Sequence, residues 1–341
     1  MKTGLRLAIV AATLPLLFAC SEVPEPKPVS LAPPPPINVS GPAPVTGYPD
    51  PLSLLNDEDP TLAANKRLVF DMWRSVVNAG RTELADDMLQ PDYIQHSPVL
   101  PTGREAFKAV FSAVPRTEIP KVVSPALVTI IGEGDLVVMA LAEELAEPAG
   151  DAKYTSTHFN LFRVEGGRLA EHWHSVQAPP GLNVLPPEEG GPQPVTGAVG
   201  TAQTTLLQAS DPVLAANKRL VFDAWREVIQ AGKADKADRY FADNYTEHDP
   251  NLASGLAALK ARVATQPSGP VADSISDPLV AMVAQGDLVV LVYGREHPHP
   301  SRAGKTYTTT FFEMFRIADN RIAERWNGAI KLGAAVPRYG N

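Results

Sequence analysis

The sequence predicts two tandem α+β domains, each with helices packed on one face of a curved antiparallel sheet. Three observations lead there. The 341-residue chain repeats itself at an offset of 152 residues, each copy opens with helical spacing of apolar residues, and each closes with strand-like runs. The repeat begins as DPTLAANKRLVFDMWR from Asp59 against DPVLAANKRLVFDAWR from Asp211, differing only at Thr61/Val213 and Met72/Ala224. It continues through Tyr93/Tyr245, His96/His248, Pro98/Pro250 and Gly103/Gly255. After one inserted residue, Phe162/Phe315, Glu171/Glu324 and Trp173/Trp326 still match. Units this long are domains, not turns of a solenoid.

Each element follows in order. Residues 1–19 carry Lys2 and Arg6 before an apolar run, the layout of a secretory signal. Residues 20–58 are dense in proline and read as an extended spacer, as does the Pro/Gly-rich stretch 178–210. Domain 1 spans 59–177 and domain 2 spans 211–332. In the first copy Asp59 caps a helix that has Pro60 at its first position. Leu62, Val69, Met72, Trp73 and Val76 fall on one face, and Gly80 stops the helix. Helices over 82–89 and 103–114 follow, then strands over 122–131, 135–144, 154–164 and 169–176. Glu165-Gly166-Gly167 suits the last hairpin turn.

Composition narrows the function. Net charge is −8, and loss of Lys2 and Arg6 with the first 19 residues takes it to −10. Such a chain is repelled by phosphate backbones, which argues against nucleic-acid binding. A single Cys leaves no disulfide framework and no Cys-rich metal site.

That Cys ends the run Leu17-Phe18-Ala19-Cys20, which resembles the lipobox of bacterial lipoproteins. The resemblance implies acylation of Cys20 and, with Ser21 next, an outer-membrane lipoprotein facing the periplasm of a Gram-negative envelope. Membrane contact would run through the lipid on Cys20. An ordinary signal peptide is the alternative.

The segments Tyr93-Ile94-Gln95-His96-Ser97-Pro98 and 161–169, followed by Glu171-His172-Trp173, resemble the SnoaL-like polyketide cyclase group of the NTF2-like superfamily. The resemblance covers nearly all of both copies. It implies two cone-shaped α+β barrels, each wrapping a mainly apolar pocket, and cofactor-free aldol chemistry in the catalytic members. Outer sheet faces pair in many relatives, so domain 1 is expected to pair with domain 2. The family usually carries an acid/base Asp directly after Glu-His-Trp; here His174 and Asn327 stand there.

Four of the seven His lie in the first copy: His96, His158, His172 and His174. On a strand His172 and His174 share one face and Glu171 and Trp173 the other. Imidazole titrates near neutrality, so His174 is a candidate general base, with His96 or His172 polarising a carbonyl. The alternative is that all three are hydrogen-bonded at the sheet surface. Tyr93, His158 and Trp173, with Tyr245, His248 and Trp326 in the second copy, complete the candidate pocket residues. Arg325, Asn327 and Phe311 replace three His in the second copy, so catalysis there is not expected. No local metal motif occurs; a converging His set is the only metal reading, and no cofactor is implied. The expected partner is a small, largely apolar, carbonyl-type molecule, bound without chemistry or, alternatively, cyclised or isomerised in domain 1.

Overall fold

The computed structural model describes residues 41–175, 182 and 184–334. Cys20 and the signal segment lie outside them. Each repeat opens with a 13-residue helix, α1 (Pro60–Met72) and α4 (Pro212–Ala224). Asp59 accepts from the Thr61 N–H and Asp211 from the Val213 N–H, both at 2.7 Å, and proline follows each cap. Both helices then widen into a π-helical turn, Trp73–Val77 and Trp225–Gln230. The short α2 (Ala85–Met88) and α5 (Ala237–Tyr240) come next.

The following strands are β1 (Leu89–Gln95) and β6 (Phe241–Glu247). Beyond α3 (Arg104–Phe111) and α6 (Leu256–Ala264), domain 1 continues with β2 (Ala126–Glu133), β3 (Leu136–Ala146), β4 (Lys153–Glu165) and β5 (Arg168–His174). Domain 2 continues with β7 (Leu279–Gln285), β8 (Leu288–Pro298), β9 (Thr306–Ala318) and β10 (Arg321–Asn327). Sheet order is β1-β5-β4-β3-β2 and, identically, β6-β10-β9-β8-β7.

Each sheet is therefore mixed, not wholly antiparallel: β1 pairs parallel with β5, and β6 with β10. Leu89-Gln90-Pro91-Asp92 lacks apolar alternation, and Pro91 is tolerated because β1 is an edge strand.

Both faces of each sheet are buried. One face packs under its own helices, with Val137, Met139, Leu141 and Phe162 in domain 1. The other packs on the opposite sheet: Val138, Ala140, Phe159, Leu161 and Trp173 meet Val290, Val292, Phe312, Met314 and Trp326. The two domains thus share a third apolar layer between their sheets.

The stretches read as spacers belong to the fold where they are described. Residues ahead of each domain cross to the other. Ala43 N–H donates to Glu247 O at 2.8 Å before Val45 N–H reaches Thr155 Oγ1 at 2.7 Å. The second strap repeats this: Gln193 N–H to Gln95 O at 2.8 Å, then Val195 N–H to Thr308 Oγ1 at 2.7 Å. Val45 and Val195 are buried in the inter-sheet layer, which a detached spacer would not allow.

Candidate functional site

In domain 1 a cavity of about 300 Å³ lies between the helices and the inner face of the sheet. Its helical wall holds Met72 and Trp73 from α1 and its π turn, and Phe107, Val110 and Phe111 from α3. His158, Asn160 and Phe162 of β4 and His172 and His174 of β5 form the sheet wall. The β4–β5 register sets Asn160 opposite His174 and Phe162 opposite His172, so all four side chains share one face. The π turn carries Trp73 and Val77 to the cavity, a common use of such bulges.

The polar groups are buried imidazoles and amides. His172 has Nδ1 3.1 Å from Gln95 Oε1 and Nε2 3.0 Å from Asn160 Oδ1. His174 Nε2 lies 3.3 Å from Ser97 Oγ. Burial pushes His158 down to about 4 and His172 to about 3, the latter with help from His158 and His96. Burial, with His172 and His158 beside it, also holds His174 well below the ordinary imidazole range. All three are neutral at pH 7, and among the described residues no carboxylate, ammonium or guanidinium lines the cavity.

His158, His172 and His174 are therefore brought together, whereas His96 is not among them. It lies on the opposite sheet face, stacked on Trp173 at 4.7 Å and 3° between planes. Its Nε2 meets Glu171 Oε1 at 2.7 Å, and Nδ1 faces the Gln193 and Pro194 carbonyls at 3.1 Å. It clamps the second strap. Strand alternation removes Trp173 from the pocket for the same reason. In domain 2 His248 and Trp326 repeat this stack at 4.6 Å, and His248 faces Ala43 O, Pro44 O and Glu324. Neither is a pocket residue. Tyr93 is a core residue packed edge-on against Phe107, and Tyr245 is buried with its hydroxyl donating to Glu247 Oε2 at 2.8 Å.

The interior of domain 2 is charged, contrary to an apolar pocket in each copy. Arg325, where domain 1 has His172, donates to Glu247 Oε2 and Glu313 Oε2, both at 2.8 Å. Those acids replace Gln95 and Asn160, while Asp249, in place of Ser97, accepts from Asn327 Nδ2 at 2.8 Å. The contacts keep their places while neutral groups become ions. Burial pushes the Glu313 carboxyl up to about 7, outweighing Arg325. Among the described residues, no group of three or more His, Cys, Asp or Glu is placed to hold a metal.

Sequence reasoning missed Gln95, Ser97 and Asn160 in domain 1 and the acids around Arg325, and it placed Trp73 on the apolar helix face without assigning it to the pocket. Counting back from Glu165-Gly166-Gly167 sets Asn160 opposite Trp173; a one-residue register shift at Arg163/Val164, which no local signal announces, brings it opposite His174 instead.

The SnoaL-like domain model matches residues 70–172 and again 222–325. The chain belongs to the SnoaL-like domain family. Solved SnoaL-like and related structures resemble one repeat each. A candidate polyketide cyclase of Acidithiobacillus ferrooxidans is 23% identical, covering 37% of this chain and 94% of its own, with a TM-score of 0.27. A candidate SnoaL-like polyketide cyclase of Jannaschia sp. CCS1 is 19% identical over 35% and 90%, TM-score 0.27. An LEH-like epoxide hydrolase of M. tuberculosis is 14% identical over 34% and 84%, TM-score 0.26. No curated protein matches the chain. SnoaL-like membership gives the fold; function has to be argued from the site.

Proposed function

We propose that domain 1 binds a small, uncharged, largely apolar molecule and holds it without chemistry. The observation that carries this reading is a 300 Å³ cavity with aromatic and aliphatic walls whose polar groups are all neutral at pH 7. Cavities of this kind, mostly apolar with a few convergent polar groups, are ordinary small-molecule sites. A buried imidazole whose basicity is so reduced is a weak proton acceptor, which counts against general-base work. Domain 2 acts as a charged structural partner. The Leu-Phe-Ala-Cys run supports an outer-membrane, periplasm-facing lipoprotein held by acyl chains on Cys20.

Mass spectrometry of small molecules carried by the purified full-length protein tests the binding reading. A retained molecule, lost in a Val110→Trp variant that fills the cavity, is the expected result. Loss of membrane retention in Cys20→Ala tests the anchor. One observation favours a second reading, cofactor-free acid/base catalysis on a carbonyl compound. His174 lines the cavity at the position where, by resemblance, relatives carry an Asp. That reading requires a turnover that His174→Ala abolishes without unfolding the protein.

A further inference from the structure

We propose that the domain 1 cavity selects an uncharged ring compound bearing a hydroxyl, which donates its hydrogen to the side-chain carbonyl of Asn160. This rests on the binding reading above and specifies its ligand class.

Gln95 sets the hydrogen positions around His172. Its Oε1 accepts the Ser97 backbone N–H at 2.9 Å, which fixes that atom as the amide oxygen. The same oxygen faces His172 Nδ1 at 3.1 Å, so Nδ1 carries the ring proton. Burial keeps His172 neutral, so Nε2 has a lone pair and no hydrogen. Asn160 is the group at Nε2, 3.0 Å away, and it can only donate there. Its NH₂ therefore turns to His172 and its carbonyl oxygen takes the other amide position. That position has no hydrogen-bond partner among the described residues, although Asn160 is only 1% exposed. A buried amide oxygen without a donor is costly, and a ligand hydroxyl relieves it. A ligand carbonyl would set two acceptors against each other. A charged ligand finds no counter-ion among the described lining residues. Trp73, Phe107, Phe111 and Phe162 supply walls suited to a flat ring. His172 is thus a positioning residue: Gln95 fixes its proton, and it fixes the amide.

Titration of the full-length protein at pH 7 with phenol, anisole, toluene, acetophenone and benzoate tests this. Phenol is expected to bind up to about tenfold more tightly than anisole or toluene, the span of one net hydrogen bond. In Asn160→Leu that preference should fall to about one while toluene still binds. Tightest binding by acetophenone or benzoate, or equal binding by all neutral probes, would overturn the proposal and leave the binding reading standing. Failure of every probe, toluene included, would overturn the binding reading with it. Should Asn160→Leu not fold, nitrogen NMR of the wild-type protein decides. A neutral His172 protonated at Nδ1 supports the proposal; a charged ring, or a proton on Nε2, overturns it.

Discussion

Phe159 and Phe312 occupy equivalent positions in the two repeats and lie face to face, 5.5 Å between centroids and 3° between planes. A residue stacked on its own duplicate marks the axis of an internal pseudo-two-fold. Around it the chain arranges itself as two partners of a symmetric pair would, with each strap exchanged. The duplicates have since diverged where exact symmetry is unfavourable. Ser175 and Gly328 meet beside the axis, and a Cβ on Gly328 would sit 2.7 Å from the Ser175 Cβ.

Gly328→Ser is therefore expected to destabilise the protein by about 1–3 kcal/mol through overpacking. The compensating Ser175→Gly should recover much of the loss. Urea denaturation of both single variants and the double variant measures this coupling.

Lys218 of domain 2 is buried and pairs with Glu133 of domain 1 at 2.5 Å, while Glu133 Oε2 accepts the Ala284 N–H at 2.7 Å. The corresponding Lys66 finds its acid in Asp57, just ahead of its helix, at 2.9 Å, and Asp57 also accepts from Gln285 Nε2 of domain 2 at 2.5 Å. Glu133→Ala leaves a buried ammonium without its carboxylate and should cost about 3 kcal/mol. Asp57→Ala, which strips the carboxylate from the buried Lys66 and the acceptor from Gln285 of domain 2, should cost a similar amount. Replacing Glu133 and Lys218 together by Gln and Met should recover most of the loss in the same denaturation experiment.

His96→Ala and His248→Ala remove the imidazoles that face the strap carbonyls. Limited proteolysis should then cut near residues 191–195 in the first variant and near 42–45 in the second. Ligand binding in domain 1 should be unchanged, because His96 lies on the other sheet face.

The two domains should respond to pH with opposite sign. His158 and His172 have folded values of about 4 and 3, below the ordinary imidazole value near 6.5. Between those limits the unfolded chain binds more protons, so stability falls as pH drops. Glu313 is raised to about 7, so between about 4.5 and 7 the folded state binds the extra proton and stability falls as pH rises. Thermal melts from pH 4 to 7 should show His158→Phe losing part of the acid sensitivity. Glu313→Gln should remove the opposing trend.

Much of the fold was legible because it rests on local signals: the Asp-Pro caps, the apolar helix stripe, the Gly-Gly hairpin and the recurrence of each. The pair His172/His174 was legible as sharing a face. Which face was not, because both sides of β4 and β5 are buried and alternation has no solvent side to contrast. β1 escaped because an edge strand with Pro91 carries no period. The straps and the Arg325 network escaped because partners far apart in sequence decide them. Nothing local marks Glu247 and Glu313; only the fold places Arg325 between them.

The most direct test of the central claim uses the four tryptophans as built-in reporters. Trp73 lines the cavity, Trp225 is its duplicate in domain 2, and Trp173 and Trp326 sit between the sheets. In a nitrogen–proton NMR titration of the full-length protein with toluene, the Trp73 indole signal should move and saturate while Trp225, Trp173 and Trp326 stay put. Equal shifts at Trp73 and Trp225, or no shift at Trp73 up to toluene saturation, would contradict a ligand cavity confined to domain 1.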